Sequence, residues 1–323
     1  MGLQYTTLSP ASLAQWSELT NLLARVDDTE EFYEPEDLAE ELEEPGFDPE
    51  QDSVAVWDGR DMVGFGQLRL GDGLRDGMAK ASITGGVHPD HRGRGIGRSI
   101  MDLLEPRAIQ LAAGRHPGVP LTADLWAGKE GSTAARMALA RGYSPVRYFT
   151  DMRVDLSSLA DTGERTGQLP DGRRIDVFTP ELGEAVRRAH NEAFADHWGS
   201  VPRSPERWAD QLAARSFRAG LSRVVVTTDG SVDSDERVDA YALCGEWVSG
   251  ELYVSLVGTR RRARRQGLGL ALLGNIVQAA AEAGYRMVDL TVDSESPTGA
   301  GRIYERAGFT PVRTSAVYQR RLA

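Results

Sequence analysis

The chain has 323 residues, enough for two ordinary domains, and 41% of them are hydrophobic, enough for packed cores. No apolar run approaches the ~18 residues of a membrane-spanning helix, the opening MGLQYTTLSPASLAQW lacks the basic-then-apolar form of a secretory signal, and one cysteine permits no intrachain disulfide. A net charge of −11 argues against nucleic acid as a partner, and together these features point to a cytoplasmic protein.

Residues 11–25 read as a helix. Residues 27–52 follow with 14 acidic side chains and no basic one. They form either a solvated helix face or an acidic rim that attracts a cationic substrate. SVAVWDG and MVGFGQLRL read as an antiparallel pair around a turn at Asp58 and Gly59. ASITGGV (residues 81–87), small and partly β-branched, is the next strand.

HRGRGIGRSIMDLLEP (residues 91–106) comes next, with glycines at 93, 95 and 97. Glycine costs roughly 1 kcal/mol in a helix relative to alanine. Three of them at a helix start therefore indicate close approach of a ligand to the backbone. The first turn of a helix also has unpaired N–H groups and the positive dipole end, which together make an anion site. Ile96, Ile100, Leu103 and Leu104 supply the apolar helical face. The Walker loop is excluded, because Arg98 and Ser99 follow Gly97. The dinucleotide fingerprint is excluded by the G-x-G-x-G spacing. His88 and His91 flank this loop and belong to its turn. LTADLWA (residues 121–127) is a short strand, and a further helix and a final strand pair complete the half. Residues 156–172, polar and rich in turn formers, read as a linker.

The second half repeats the first. Residues 181–195 are helical, and RVVVTTDG with RVDAYALCGEW forms another antiparallel pair. Cys244 in that pair is a small core residue. ELYVSLVGT (residues 251–259) precedes RARRQGLGLALLGNI (residues 262–276), where Arg264-x-x-Gly267-x-Gly269 repeats Arg92-x-x-Gly95-x-Gly97. Leu268, Leu272, Ile276 and Ala279 make the apolar stripe, and MVDLTVD (residues 287–293) is the following strand. RAGFTPVR then echoes ARGYSPVR. Two matches in the same order indicate a duplicated domain of about 150 residues. The fold expected is α/β in the mixed-sheet sense. Each half is a mostly antiparallel twisted sheet with a parallel central pair and flanking helices. The halves run over 1–155 and 173–323. No group of side chains has metal-ligand spacing, so no metal site is expected.

R-x-x-G-x-G after the fourth strand, with Ala300, Tyr304, Gly308 and Phe309 in the pattern A-x-x-x-Y-x-x-x-G-F, resembles the GNAT superfamily of acyl-CoA-dependent N-acetyltransferases. The resemblance covers nearly the whole chain, and the two-halved architecture is similar to that of the mycothiol synthases. It implies acetyl-CoA, its pyrophosphate on the glycine loop and its pantetheine arm between two strands splayed by a bulge. The residues implied are Val257, Gly258, Thr259, Arg264, Arg265, Gln266, Gly267, Leu268, Gly269 and Leu270 in the second half. Gly86, Val87, Arg92, Gly93, Arg94, Gly95, Ile96, Gly97 and Arg98 are their counterparts in the first. Ala138 stands at the tyrosine position of the first half, which is then a cofactor-binding or degenerate copy, so that 173–323 holds every catalytic group. Arg265 replaces Gly93; with a negative φ it fits, and its guanidinium can pair with a phosphate. Pro297 stands where the family often has asparagine, leaving Ser296 or Thr298 to supply the polar contact.

Acetyl transfer to an amine needs a neutral amine, a polarised thioester carbonyl and a proton for the departing thiolate. Strand N–H groups can polarise the carbonyl. Tyr304 is the candidate acid, from the family position. Glu251 is the candidate base, with Glu246 and Tyr253 as competitors for the role and as substrate contacts together with His197. The expected activity is acetylation of the primary amine of a small molecule, by a monomer or homodimer. A narrower alternative is mycothiol-synthase-like acetylation of a cysteinyl pseudo-disaccharide. An alternative of another class is a non-catalytic acyl-CoA sensor or scaffold.

Overall fold

The computed structural model describes residues 2–158, 169–195, 200–227, 237–294 and 300–323, and its strands and helices follow one order twice. The first half runs β1 (Gln4–Thr6), α1 (Leu13–Val26), α2 (Pro35–Leu42), α3 (Pro49–Asp52), β2 (Ser53–Asp58), β3 (Asp61–Leu70), β4 (Ala79–Val87), α4 (Ile96–Arg115), β5 (Leu121–Trp126), α5 (Thr133–Ala140) and β6 (Ser144–Asp155). The second runs β7 (Arg173–Val177), α6 (Gly183–Ala193), α7 (Pro205–Ala213), β8 (Arg223–Thr227), β9 (Val238–Val248), β10 (Glu251–Thr259), α8 (Leu268–Glu282), β11 (Met287–Asp293), α9 (Ala300–Arg306) and β12 (Thr310–Arg321).

The chain folds into two compact units, Met1–Tyr148 with Thr314–Ala323, and Phe149–Arg313. Each has a mixed sheet. In the first unit β4 and β5 are parallel and the other neighbours antiparallel; in the second, β10 and β11 are the parallel pair. Each half ends in one long strand rather than the expected pair. These strands are exchanged. β6 pairs with β11 from Met287↔Asp155 to Asp293↔Phe149, and β12 pairs with β5 from Val317↔Trp126 to Arg321↔Thr122. The units therefore depart from 1–155 and 173–323, and 173–323 lacks a strand of the second unit. The pattern of a strand fixes which face it buries, not which edge it joins. In a duplicated chain the edges of β5 and β11 are near equivalents.

Helix packing explains the glycines of β3. A Cβ on Gly66 would stand 2.4 Å from Ile100 Cγ2 and 3.0 Å from Leu104 Cδ1, and one on Gly64 would stand 3.0 Å from Ile96 Cγ2. Their absence lets α4 press onto the sheet through Ile96, Ile100, Leu104, Ala108 and Ala112, all buried. Each large apolar side chain so buried contributes about 1.5–3 kcal/mol. This stripe follows the i, i+4 row, and Leu103 falls outside it, 50% exposed. In α8 the same row runs Leu268, Leu272, Ile276 and Ala280, the last in place of Ala279. The opposite face of the first sheet is covered by Trp16 and Leu19 of α1 and Leu38 of α2. In the second unit Val186 of α6 and Trp208 of α7 serve there.

Several acids of residues 27–52 meet arginines of their own unit: Asp27 with Arg92, Glu44 with Arg69, Asp52 with Arg107. Cys244 is buried in β9, which pushes its thiol up to about 12. No helix among the described residues is long and apolar enough to cross a membrane.

Candidate active site

The two glycine loops share one backbone. Gly93 and Gly95 have φ of 75° and 87°, and Arg265 and Gly267 have φ of 63° and 79°. Arg265 thus adopts the left-handed conformation rather than the expected negative φ, because the loop closes onto its helix only through two such residues. Gly95 and Gly267 cap α4 and α8. Among the described residues, and chain neighbours aside, no heavy atom lies within 4 Å of a Cβ built on Gly93, Gly95 or Gly267, so the loop backbone is open at these positions. A Cβ on Gly269 would only touch Ile303 Cγ2 at 4.0 Å, whereas one on Gly97 would stand 3.0 Å from Met137 Sδ. Arg94, Arg98 and Arg265 are exposed around the loops; Gln266 is half-buried and donates to Arg262 O. Ile96 and Leu268 are buried anchors, and Leu270 packs at the core edge.

The arginines that open the motifs are tied inward. Arg92 Nε donates to Val87 O at 3.1 Å, and its two terminal nitrogens grip Asp27. Arg264 donates to Thr259 O at 3.4 Å and to Ala193 O at 3.1 Å. Both fasten the loop to the preceding strand end and to the end of the unit's first long helix. His88 and His91 sit in the turn, His88 Nδ1 accepting from Asp90 N and His91 Nε2 3.4 Å from Asp58 Oδ2.

Beside each loop the parallel strands part. β4 and β5 pair from Ala79↔Leu121 to Ile83↔Leu125 and no further, and β10 and β11 from Glu251↔Met287 to Tyr253↔Asp289. The strand ends beyond, with Val87, Val257 and Thr259, keep one neighbour, so half their backbone groups face the gap. The second unit adds a bulge at Ser255, where Val254↔Cys244 is followed by Leu256↔Leu243. β4 runs against β3 in unbroken register from Leu70↔Ala81 to Gly64↔Val87. A bulge re-aims the strand and leaves a residue unpaired. Gly258 and Gly86 serve packing: a Cβ would stand 2.4 Å from the ring of Tyr241 at the first and 2.2 Å from Leu23 Cδ1 at the second.

Counting back from the loops across the bulge, Lys80 takes the place of Glu251 and Ser82 that of Tyr253. Their partners agree, since Ser82 pairs with Asp124 and Tyr253 with Asp289. Lys80 lies 3.8 Å from Asp124, whose carboxyl is raised by burial. Ala138, at the tyrosine position, is fully buried.

In the second unit Glu251 is half-buried at the start of β10, 3.2 Å from Arg286. Tyr253 Oη donates to Thr291 Oγ1 at 2.9 Å. Tyr304 on α9 is half-buried against the core, its ring 6.3 Å from that of Phe309. Burial, then the neighbouring Tyr253, pushes its hydroxyl up to about 12. Glu246 is committed elsewhere. It accepts from Tyr285 Oη at 2.6 Å, Arg218 Nε at 2.8 Å and Gly250 N at 3.0 Å. Burial works to raise its carboxyl, but the bonds from Tyr285, Arg218 and Gly250 outweigh it, and Glu246 sits below the ordinary glutamate range. His197, Ser296, Pro297 and Thr298 lie outside the described residues. Sequence reasoning missed Thr291, Asp151 and Arg313, which join Tyr253 in one network. Asp151 carries no signal in the sequence, because only the strand exchange brings it to β11.

Residues 16–117 and 184–309 match the model of the acetyltransferase (GNAT) family. The mycothiol acetyltransferase of Thermobispora bispora is 31% identical over 276 residues, 83% of each chain. That of Amycolatopsis mediterranei is 31% identical over 291 residues, 85% of this chain and 86% of its own. Among solved structures, a GCN5-related N-acetyltransferase from Sphaerobacter thermophilus has a TM-score of 0.75 at 25% identity, over 99% of this chain and 96% of that one. A tandem GNAT protein from the clavulanic acid biosynthesis pathway has a TM-score of 0.68 at 20% identity, over 100% of this chain and 99% of that one.

Proposed function

The chain belongs to the acetyltransferase (GNAT) family and uses acetyl-CoA, and from that premise we propose that its second unit acetylates the primary amine of a small molecule. One contrast between the units carries this reading. The bulge at Ser255, Glu251, Tyr253 and Tyr304 occur together in the second, where the first has an unbroken strand, Lys80, Ser82 and Ala138.

The residues fit the cofactor. The backbone of Arg264–Leu270 is open at Gly267 and offers N–H groups for a pyrophosphate, and β10 beyond Tyr253 leaves backbone groups unpaired toward β11 for the arm. Acetyl-CoA supplies the acetyl group and a thiolate leaving group. N–H groups of β10 beside the bulge polarise the carbonyl. Glu251 takes the proton of the amine, directly or through a water. Tyr304, still protonated at neutral pH, gives its proton to the sulfur.

The cysteinyl amine of a cysteinyl pseudo-disaccharide is the first acceptor to test, because the relatives cited are mycothiol acetyltransferases at 31% identity over most of both chains. The decisive measurement is release of the CoA thiol with a panel of primary amines that includes this one. Turnover of the cysteinyl compound well above the rest supports the narrow reading, and preference for another amine replaces it. Tight acetyl-CoA binding without turnover of any amine would favour a sensor.

A further inference from the structure

Three side chains of the second unit form a hydrogen-bond chain with a fixed direction. Tyr253 Oη donates to Thr291 Oγ1 at 2.9 Å, and Thr291 Oγ1 donates to Asp151 Oδ1 at 2.5 Å. Asp151 Oδ2 accepts from Arg313 Nε at 2.7 Å, with Nη2 at 2.5 Å. A carboxylate held by an arginine has no proton to give, so Thr291 must donate to it. The lone pairs of Thr291 then receive the proton of Tyr253. Toward every other group the oxygen of Tyr253 offers lone pairs.

Tyr253 is also the neighbour of Tyr304, the acid of the proposed reaction, and stands two residues along β10 from Glu251, roughly 7 Å. The first unit has no counterpart of the chain. Ser82 stands for Tyr253, Trp126 for Thr291, and Val317, opposite Trp126, for Asp151.

We infer that Asp151, acting through Thr291, is a positioning residue that makes Tyr253 an acceptor for an N–H of the incoming amine and so turns the amine's lone pair toward the acetyl donor. This rests on the reading that the second unit acetylates a primary amine. A hydroxyl free to rotate could instead present its proton to that lone pair and hold the nucleophile in an unreactive orientation. The strand lent by the first half thus completes the acceptor side of the site.

The test uses the full chain, labelled with ζ-13C tyrosine, and the amine that wild type turns over fastest. Thr291→Val cuts the chain. It should raise the KM for the amine about tenfold, the order of one hydrogen bond, and leave the KM for acetyl-CoA unchanged. It should also shift the Tyr253 ζ-carbon resonance, assigned by its loss in Tyr253→Phe. Thr291→Ser keeps the hydroxyl and should restore both readouts. In Asp151→Asn the amide can donate, which reverses the chain, and the amine KM should rise as in Thr291→Val. A wild type that turns over no amine sinks the functional reading and this inference with it. An active wild type whose Val and Asn variants keep the amine KM overturns the inference alone. So does a loss that affects both substrates equally and is not rescued by serine.

Discussion

Tyr304 and Arg265 each hold an uncommon state for which the site gives a reason. The Tyr304 phenol, half-buried beside Tyr253, is pushed up to about 12 from an ordinary value of ~10. The neutral form is the one the fold favours. Its contribution to stability is complete below pH ~10 and is lost as the pH rises toward about 12. Tyr304→Phe should lower kcat by about 10²–10⁴-fold, the usual worth of a general acid, with little change in acetyl-CoA affinity or melting temperature. In a pH–rate profile the wild type should hold kcat through pH ~10. An alkaline limb centred there and missing from the Phe variant would mean that the hydroxyl behaves as if in water. Arg265 keeps φ at 63°, which costs a non-glycine residue about 1–2 kcal/mol. No hydrogen bond or ion pair of its side chain is seen among the described residues, so none of these offsets that cost. Arg265→Gly should therefore raise stability by about 1 kcal/mol and weaken acetyl-CoA binding about tenfold through loss of a phosphate partner. Thermal unfolding and calorimetry check the two halves of this expectation, and a variant with unchanged affinity would leave the arginine unexplained.

Close packing of α4 on β3 depends on two absent side chains. With Ile100 Cγ2 only 2.4 Å from the place of a Cβ, Gly66→Ala forces the helix or its rotamers to move. Overpacking of this kind costs about 1–3 kcal/mol. Gly64→Ala, which would face Ile96 Cγ2 at the longer distance of 3.0 Å, should cost less, and thermal melts of the two variants should rank them in that order. The exchanged strands are the other decisive elements. Met152 and Val154 of β6 are buried in the second unit's core, as Ala316 and Tyr318 of β12 are in the first. A chain starting at residue 173 would expose the edge of β11 and lose Met152, Val154 and Asp151. It should be insoluble or inactive; an active fragment would show that β6 is dispensable.

Duplication gave the molecule two loops of the same conformation, yet chemistry needs more than the loop. The first unit keeps the αL pair at Gly93 and Gly95 and the parting of β4 from β5. It lacks the bulge, the tyrosine and an acid at the place of Glu251, the proposed base. Gly95→Val should thus leave kcat within about tenfold, or ~1.4 kcal/mol on the barrier. Steady-state kinetics of a well-folded variant check this. Complete loss of activity would mean that the first unit works in, or controls, the reaction.

The repeat, the strand–loop–helix order, both parallel pairs and the glycine loops were legible in the residues, because helical and strand periodicities and left-handed glycines are local properties. Tyr304 was reachable through its spacing from Gly308 and Phe309. Three things were not. The φ of Arg265 follows from closing the loop onto α8, which a residue's type does not report. The engagement of Glu246 by Tyr285 and Arg218 rests on contacts 39 and 28 residues away in the chain. The ownership of β6 and β12 could not be read, since two near-identical sheet edges offer any final strand the same hydrogen bonds. Burial and connectivity in three dimensions choose between them, and with that choice Asp151 joins the site of the other half.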